Sequence, residues 1–334
     1  MELVAGMNPH MPMKDIANYA KRVESLGFDT LHVPEMIHDP FIVSGLALSA
    51  TTRLRVRTGV ALAFVRSPMV TALSAWDLAN LSAGRFDLGL GSQIRQNIVE
   101  RYGMPFEPPL SRLREYVLAV RSCFASFSNQ TTISFEGDFY QLTRLQKEFL
   151  PEPIAPGMEP EIWLGAVGGK MTALASAISD GLITHPTNSH PLHLRNHVIP
   201  NLNSKTRIPV IVSPLAAIGN DGTQRKELVL DKKERLAFLY STPAYDPTLK
   251  LLGFGELGSE LRALRSDGNN QALHYKIPDE LFNQVVIEST WEELGEVVVD
   301  WFGGLASGVV LRPPDESQFD QQFVSSAELI KKAT

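Results

Sequence analysis

The sequence predicts an α/β fold, a (β/α)8 TIM barrel with insertions, and three observations lead to it. Short apolar runs alternate with segments in which apolar residues recur at helical spacing, and eight such repeats can be traced. The runs are almost continuously apolar, which is typical of parallel strands covered on both faces. The length of 334 residues suits one barrel, since such barrels run from about 250 to over 400 residues.

Four strand–helix repeats account for the first part of the chain. The predicted strands cover residues 3–7, 30–33, 54–64 and 86–91. Apolar residues at helical spacing predict helices over residues 16–27, 41–50, 69–82 and 113–127. Because each strand is followed by a helix, we expect the strands to run parallel.

The other four predicted strands are separated by longer interruptions. These strands cover residues 161–167, 181–184, 208–212 and 308–311, and a helix over 171–178 follows the fifth. Residues 128–160 alternate polar and apolar side chains around Glu136-Gly137-Asp138, which predicts a β-hairpin before a proline-rich connector. A second insertion covers residues 240–285. Neither insertion is long enough for a second domain, so one domain over 1–334 is predicted.

Charge and cysteine content exclude several classes of function. The chain has 31 basic and 37 acidic residues, a net charge of −6, which disfavours nucleic acid or an anionic membrane as the main partner. Cys123 is the sole cysteine, so an intrachain disulfide and a cysteine-based zinc site are excluded. The first ten residues do not resemble a signal peptide, and no uncharged apolar stretch reaches about 18 residues. We therefore expect a cytoplasmic protein.

The acid–base candidates follow the second predicted strand. In a (β/α)8 barrel the site lies at the carboxyl ends of the strands. Glu35 and His38 occupy that place, and carboxylate and imidazole are the usual proton-transferring groups. The alternative is that each only orients loop backbone. His185 follows the sixth strand, where a packed neutral histidine is an equal alternative.

A glycine-containing turn after the fifth strand predicts an anion site. The segment LGAVGGK precedes the helical segment MTALASAIS, so backbone N–H groups and the positive helix N-terminus could face an anion. Lys170 and Thr172 could add a cation and a hydroxyl, and Arg95 is a second candidate for a phosphate. An ordinary tight turn and a solvated arginine are the alternatives.

Three other patterns carry less weight. GFGELG at residues 253–258 matches the dinucleotide-binding pattern GxGxxG. No convincing strand precedes it and no long helix follows, so a dinucleotide site is not expected there. His193 and His197 are four residues apart without an evident third ligand, so we expect surface histidines and predict no metal site. Arg53, Arg55 and Arg57 alternate with apolar residues and are expected to be solvated.

Several longer segments together resemble one known family. They are TGVALAFVRSPMVTALSAWDLANLSAGRFDLGLGSQ, EMIHDPF and AVGGKMTALASAISDGLITHP, with STPAY, LLGFGELG and DWFGGLASGVVLRP. In combination they are similar to the bacterial luciferase-like superfamily, and most similar to its branch that uses the deazaflavin coenzyme F420. Two positions depart from that branch: Val65 replaces a frequent proline, and Gly169-Lys170 replaces the usual Pro-Arg.

The resemblance implies where a cofactor would bind. The tricyclic ring would lie at the carboxyl ends of the strands, against a non-prolyl cis peptide that falls on Gly59–Val60. The carboxylate after the second strand falls on Glu35. The implied cofactor-contacting positions are Gly6, Met7, Gly59, Val60, Ser92, Gln93, Arg95, Ala166, Val167, Gly168, Gly169 and Lys170.

The resemblance also implies an activity. The expected function is hydride transfer between F420 and a small organic substrate, with Glu35 or His38 handling the proton. An FMN-dependent monooxygenase on the same barrel is the alternative, and a cofactor-binding barrel without turnover is a second alternative. Relatives dimerise through helices of the first half, so a homodimer is expected.

Overall fold

The strands form a closed parallel barrel. The computed structural model describes residues 1–203, 207–220 and 222–333, and of residues 270 and 271 only the backbone. Its strands are β1 (Glu2–Gly6), β2 (Thr30–Val33), β3 (Arg55–Thr58), β4 (Ala61–Leu62), β5 (Phe86–Gly91), β6 (Phe135–Glu136), β7 (Gln141–Leu142), β8 (Ile162–Ala166), β9 (Gly181–Thr184), β10 (Val210–Val212), β11 (Leu215–Ile218), β12 (Val286–Ser289) and β13 (Gly308–Leu311). The main sheet has the order β3-β2-β1-β13-β10-β9-β8-β5-β4, and an additional β3–β5 pairing closes it. The predicted TIM barrel is confirmed.

The five helices predicted from apolar spacing are present as the first five of the structure, and the spacing did not predict the others. They are α1 (Ile16–Ser25), α2 (Pro40–Ala50), α3 (Pro68–Ser82), α4 (Pro109–Asn129), α5 (Gly169–Ile178), α6 (Pro191–His193), α7 (Gly222–Tyr240), α8 (Asp246–Leu251), α9 (Leu257–Ser266), α10 (Asp279–Val285), α11 (Leu294–Phe302) and α12 (Asp320–Lys332). The GxGxxG segment covers part of the turn after α8 and the first two residues of α9, and it is preceded by a helix, not a strand. Within the described ranges, no helix combines the length and apolar character that a bilayer crossing requires.

The third predicted strand is broken in two. Residues 54–64 were expected to form one strand, but β3 and β4 are separated by a cis peptide bond between Gly59 and Val60. The cis bond lies where the family resemblance implied it. Both segments pair with β5, so the chain continues along the same neighbour after the break.

Pairings outside the barrel were predicted only in part. The expected hairpin is present, since β6 and β7 pair antiparallel. Glu115 of α4 holds the hairpin turn, because its carboxylate accepts the backbone N–H groups of Asp138, Phe139 and Tyr140 at 2.6–2.9 Å. The parallel pair β11–β12 was missed, since its two strands are far apart in sequence.

The chain divides into two compact units, each with its own core. The first unit comprises residues 4–183 and 202–209, and the second comprises 1–3, 184–201 and 210–334. In the first unit, buried Trp76 packs against Phe124 and Phe127, with ring centroids 5.8 and 5.4 Å away. In the second unit, Trp291 packs edge-on against Phe323. The single domain stays a prediction.

Gly89 marks a close approach between β3 and β5. Thr58 Oγ1 donates to the Gly89 carbonyl at 2.7 Å and accepts the Gly89 N–H at 2.9 Å. A Cβ at residue 89 would overlap the carbonyl oxygen of Thr58.

We therefore expect Gly89→Ala to lower the free energy of unfolding by about 1–3 kcal/mol, because the overlapping atom is backbone and cannot rotate away. Urea unfolding measures the change. Gly255→Ala is the matched control, since the nearest atom to an added Cβ there is 3.9 Å away. Equal stability of the two variants would contradict the prediction.

Candidate functional site

Glu35 lies at the centre of a hydrogen-bonded ion pair. Its two carboxylate oxygens accept Arg66 Nη1 and Nη2, each at 2.8 Å, and Oε2 also accepts the backbone N–H of Leu62 at 2.7 Å. The Glu35 side chain is 6% exposed and that of Arg66 16%. Three charge-assisted or backbone donors at this distance fix the orientation of the Glu35 carboxylate. The ion pair links the loop after β2 to the segment after β4.

Asp39 extends this pair to the start of α2. One of its oxygens accepts the N–H groups of Phe41 and Ile42 at 2.9 and 3.2 Å, which caps the helix, and Pro40 occupies the first helical turn. The other oxygen accepts Arg66 Nη2 at 2.8 Å. Partial burial lowers the pKa of Arg66, but its bonds to Glu35 and Asp39 outweigh that effect and raise the pKa above the ordinary arginine value.

His38 lies in the same loop with a defined tautomer. Its Nε2 lies 3.1 Å from the carbonyl oxygen of Met11. Because a carbonyl oxygen can only accept, Nε2 carries a hydrogen, and in the neutral form of the ring Nδ1 is the acceptor. The structure therefore differentiates the two predicted acid–base residues: Glu35 is occupied by Arg66, whereas His38 has a nitrogen that can accept a proton.

The turn after β8 is open at the start of α5. Gly168 caps the helix, and an added Cβ would meet no atom within 4 Å. Lys170 is exposed in the first helical turn. The Thr172 hydroxyl was expected to face an anion. Instead, Thr172 is buried and its Oγ1 donates to the Gly168 carbonyl at 3.2 Å. Backbone N–H groups and Lys170 therefore make up the candidate anion site.

Ser92, Gln93 and Arg95, three other predicted cofactor contacts, lie in the loop after β5 and have different surroundings. Gln93 has a left-handed backbone, with φ of 59°, and its own Oε1 accepts the N–H of Ile94 at 2.9 Å. The Ser92 hydroxyl donates to the Gln93 carbonyl at 3.3 Å. Arg95 is exposed and lines a cavity of about 460 Å³. Of Ser92, Gln93 and Arg95, it is Arg95 that lines this cavity.

Val60 occupies space left by two glycines. A Cβ at Gly91 would lie 2.7 Å from Val60 Cγ2, and one at Gly165 would lie 3.4 Å from Val60 Cγ1. Glycine at the ends of β5 and β8 therefore accommodates this side chain beside the cis bond. At the end of β1, Met7 is buried and the Gly6 carbonyl accepts the Tyr19 hydroxyl at 2.7 Å.

A buried charged cluster was missed by the sequence analysis. Arg57, expected in solvent, is 2% exposed. Its Nη2 donates to Asp87 at 3.2 Å, its Nη1 lies 3.3 Å from His32, and its guanidinium lies 3.6 Å from the Trp163 ring centroid. The burial and the charge of Arg57 lower the pKa of His32 well below its usual value, so this imidazole is neutral. Alternation with apolar residues was the misleading signal, because alternating side chains of a barrel strand also point inward.

His190 and His193 of the second unit are buried rather than on the surface, whereas His197 is half-buried. His190 and His193 are 1% and 5% exposed, and their rings lie 5.8 Å apart, contrary to the expectation. His190 Nδ1 accepts the backbone N–H of His193 at 3.3 Å, so Nε2 carries the hydrogen. His185 stacks on Tyr245 with centroids 5.2 Å apart. Among the described residues, no group of three or more His, Cys, Asp or Glu side chains could hold a metal ion.

The chain is similar in sequence to proteins of one enzyme family. The profile of the luciferase-like monooxygenase family matches residues 2–307. An uncharacterized protein of Mycobacterium tuberculosis is 34% identical over 279 residues, which is 81% of this chain and 82% of that protein. A 5,10-methylenetetrahydromethanopterin reductase from Methanolobus tindarius is 30% identical over 185 residues, which is 55% of this chain and 53% of the reductase.

Solved structures share the fold at low sequence identity. A coenzyme F420-dependent tetrahydromethanopterin reductase from Methanopyrus kandleri superimposes with a TM-score of 0.80 and 17% identity, over 100% of this chain and 99% of that chain. A riboflavin lyase solved with modified FMN and riboflavin gives a TM-score of 0.71 and 13% identity, over 99% and 91% of the two chains. The same barrel thus occurs in an F420-dependent enzyme and in one solved with a flavin.

The buried histidines make stability depend on pH. Burial, with the charge of Arg235, lowers the pKa of His185 to about 4, and burial, with His193 and His197, lowers that of His190 to about 3. In the unfolded chain both have pKa values near 6.5. Between about pH 6.5 and pH 4 the unfolded state therefore binds protons that the folded state does not, and stability falls as pH falls.

We expect the free energy of unfolding to drop by up to about 1.4 kcal/mol per pH unit for each such histidine below about pH 6.5, and to be independent of them above it. His190→Asn keeps an acceptor at the start of α6 but cannot titrate, so its slope should be smaller by one proton. Exposed His10→Asn is the control and should retain the original slope. Urea unfolding at several pH values measures both, and an unchanged slope for His190→Asn would refute the assignment.

Proposed function

Because the chain belongs to the luciferase-like monooxygenase family, we propose that it is an oxidoreductase that transfers a hydride between coenzyme F420 and a small organic substrate. The sequence similarity to a 5,10-methylenetetrahydromethanopterin reductase supports reductive two-electron chemistry. The fold shared with an F420-dependent reductase supports the choice of coenzyme. The observation on which the proposal mainly depends is the turn after β8.

This turn suits the anionic tail of a nucleotide-like coenzyme. The first N–H groups of α5 have no acceptor within the helix, and the helix dipole adds positive charge at the same end. Gly168 has no side chain to obstruct an approaching phosphate, and Lys170 supplies a mobile cation. The residues present therefore fit an anion, with Ala166 and Val167 leading into the turn and Gly169 beginning the helix.

The chain's own groups would then orient and protonate the substrate. When bound, F420 supplies the hydride donor or acceptor. We assign the accompanying proton to His38 Nδ1, since its Nε2–H is held by the carbonyl of Met11. Glu35 acts as a positioning residue, because its bidentate bond to Arg66 fixes the loop that carries His38. Gly59 and Val60 would contact the ring, with Gly6, Met7, Ser92 and Gln93 around them.

The same turn suits FMN, which keeps the alternative function in view. A flavin monooxygenase would use the same anion site, and the riboflavin lyase with modified FMN shares this fold. A barrel that binds a cofactor without turnover would share it too. Comparing the affinities for F420 and FMN distinguishes the F420-dependent oxidoreductase from the flavin monooxygenase. Measured turnover distinguishes either enzyme from a barrel that only binds a cofactor.

We extend the proposal to a homodimer formed through helices of the first unit. Helix α2 exposes Ile42 and Leu46 on one face, at 61% and 39%, and Val70 of α3 is 52% exposed. Apolar side chains exposed together in this way are typical of contact surfaces between copies. Leu81 is also exposed, whereas Trp76 belongs to the core.

We expect the purified chain to bind F420 with a dissociation constant of about 10 μM or below, followed by the change in coenzyme fluorescence. Lys170→Gln should weaken binding roughly tenfold, because it removes one charge-assisted contact. Lys147→Gln, another exposed lysine, is the matched control and should bind as the natural chain does. FMN is titrated in the same way. Absence of F420 binding, or tighter FMN binding, would contradict the proposal.

The two acid–base candidates should respond differently to substitution. With reduced F420 and a panel of small carbonyl compounds, His38→Gln should lower kcat about 100-fold while F420 affinity is kept. Glu35→Gln should instead lower the free energy of unfolding by roughly 2–3 kcal/mol, because Arg66 loses its bidentate partner. His10→Gln serves as the control for histidine substitution. Normal turnover by His38→Gln would remove the role assigned to this residue.

A further inference from the structure

We propose that the cavity beside Arg95 binds the substrate, and that the substrate is a small organic acid with an apolar or aromatic body. That the bound acid is a substrate rests on the proposed function, whereas the existence of the binding site does not. The cavity has a volume of about 460 Å³, within the range of small-molecule sites. Arg95, Val99, Met104, Phe106 and Glu107 are among the residues that line it. All belong to the loop after β5 or the segment that continues it.

Arg95 lines the cavity and has no counter-ion among the described residues. Among the described residues, no carboxylate lies within ion-pairing distance of Arg95, whereas Arg66 has two carboxylates as partners. In a chain with net charge −6, residues 95–112 carry three arginines and two glutamates. A guanidinium presents a planar fork of donors that matches a carboxylate. Arg95 therefore offers a charge-assisted contact to an anionic group in a cavity whose lining also includes Glu107.

Apolar side chains form another part of the cavity lining, and the loop that carries them is held in place. Ile98 is fully buried, and the N–H of Met104 donates to its carbonyl at 3.0 Å, which holds the loop in place. The Phe106 ring packs edge-on against Phe64, with centroids 5.8 Å apart and an angle of 74° between planes. Phe106, Met104 and Val99 thus give the cavity lining an apolar part that an apolar or aromatic ligand body could contact. A carboxylate alone would leave this part uncovered.

Two contacts connect the cavity to the proposed reaction centre. Phe64 lies two residues after β4, and Leu62, the last residue of β4, donates its N–H to Glu35. Arg101 Nη2 donates to the Met36 carbonyl at 2.6 Å, which ties the cavity loop to the loop of Glu35 and His38. A ligand in the cavity is thereby placed among the elements that carry His38 and the cis bond. We therefore assign Arg95 to the substrate and not to the cofactor.

The test compares two probes that share a shape and differ in charge. 4-Fluorobenzoate and 4-fluorobenzamide are titrated onto the full chain without coenzyme and followed by ¹⁹F NMR. We expect the acid to bind at least about tenfold more tightly than the amide, because only the acid forms a charge-assisted bond with Arg95. Arg95→Gln should abolish this preference, and Arg95→Lys should restore part of it. Arg53→Gln, an exposed arginine before β3, is the matched control and should keep it.

A second variant tests the cavity itself. Met104→Trp fills the volume at a position that is 38% exposed, so folding should be preserved and both probes should bind more weakly. Unfolding midpoints of all variants verify that they fold. Equal binding of the two probes to the natural chain, no binding of either at about 10 mM, or a preference that survives Arg95→Gln would overturn the inference.

Adding F420 separates this inference from the proposed function. If F420 does not bind while the Arg95-dependent preference for the acid is present, the cavity stands as an organic-acid site and the coenzyme assignment falls. If F420 and 4-fluorobenzoate displace each other, the cavity belongs to the coenzyme and the inference is overturned. Simultaneous binding of both supports the two together.

Discussion

The bidentate bond between Arg66 and Glu35 is the interaction on which the candidate site depends. It joins the loop after β2 to the segment after β4, and Asp39 adds the start of α2 to the same guanidinium. Removing two charges from water is unfavourable, and the cost is offset here because every carboxylate oxygen involved accepts good donors. Arg66 also lies over the Phe41 ring, 5.3 Å from its centroid, so packing and charge act in the same place. His38, between Glu35 and Asp39 in sequence, is held between two anchored residues.

A second ion pair joins Arg57 of β3 to Asp87 of β5. Asp87 is fully buried and accepts both Arg55 and Arg57. The flat guanidinium of Arg57 covers the Trp163 ring at 3.6 Å, so it fills space as an apolar side chain would and satisfies Asp87 as well. Since β3 and β5 are neighbours, the pair adds a side-chain link to the ladder between them. This leaves the carboxyl ends of the strands for groups that face ligands.

The groups at those carboxyl ends divide by how they are satisfied. Glu35, Asp39 and Thr172 have polar atoms that form hydrogen bonds within the protein. His38 Nδ1, Arg95 and Lys170 have no counterpart among the described residues, and each can therefore meet a proton, a substrate carboxylate or a phosphate. Residue type alone does not distinguish these two sets, because both contain charged and hydroxyl-bearing side chains. Hydrogen-bond geometry does.

The sequence by itself determined the barrel, because strand and helix periodicity is local information. The strands at residues 30–33, 86–91, 181–184 and 308–311 begin and end as predicted, since apolar runs there are bounded by polar or turn-forming residues. The glycine turn at 168–169 and the cis bond at Gly59–Val60 were anticipated from motif and resemblance. Burial of Arg57 and His193, the pairing of β11 with β12, and the capture of Glu35 by Arg66 were decided only by the tertiary structure. Each depends on a partner distant in sequence or on side-chain direction, and neither is encoded in the local pattern of apolar and polar residues.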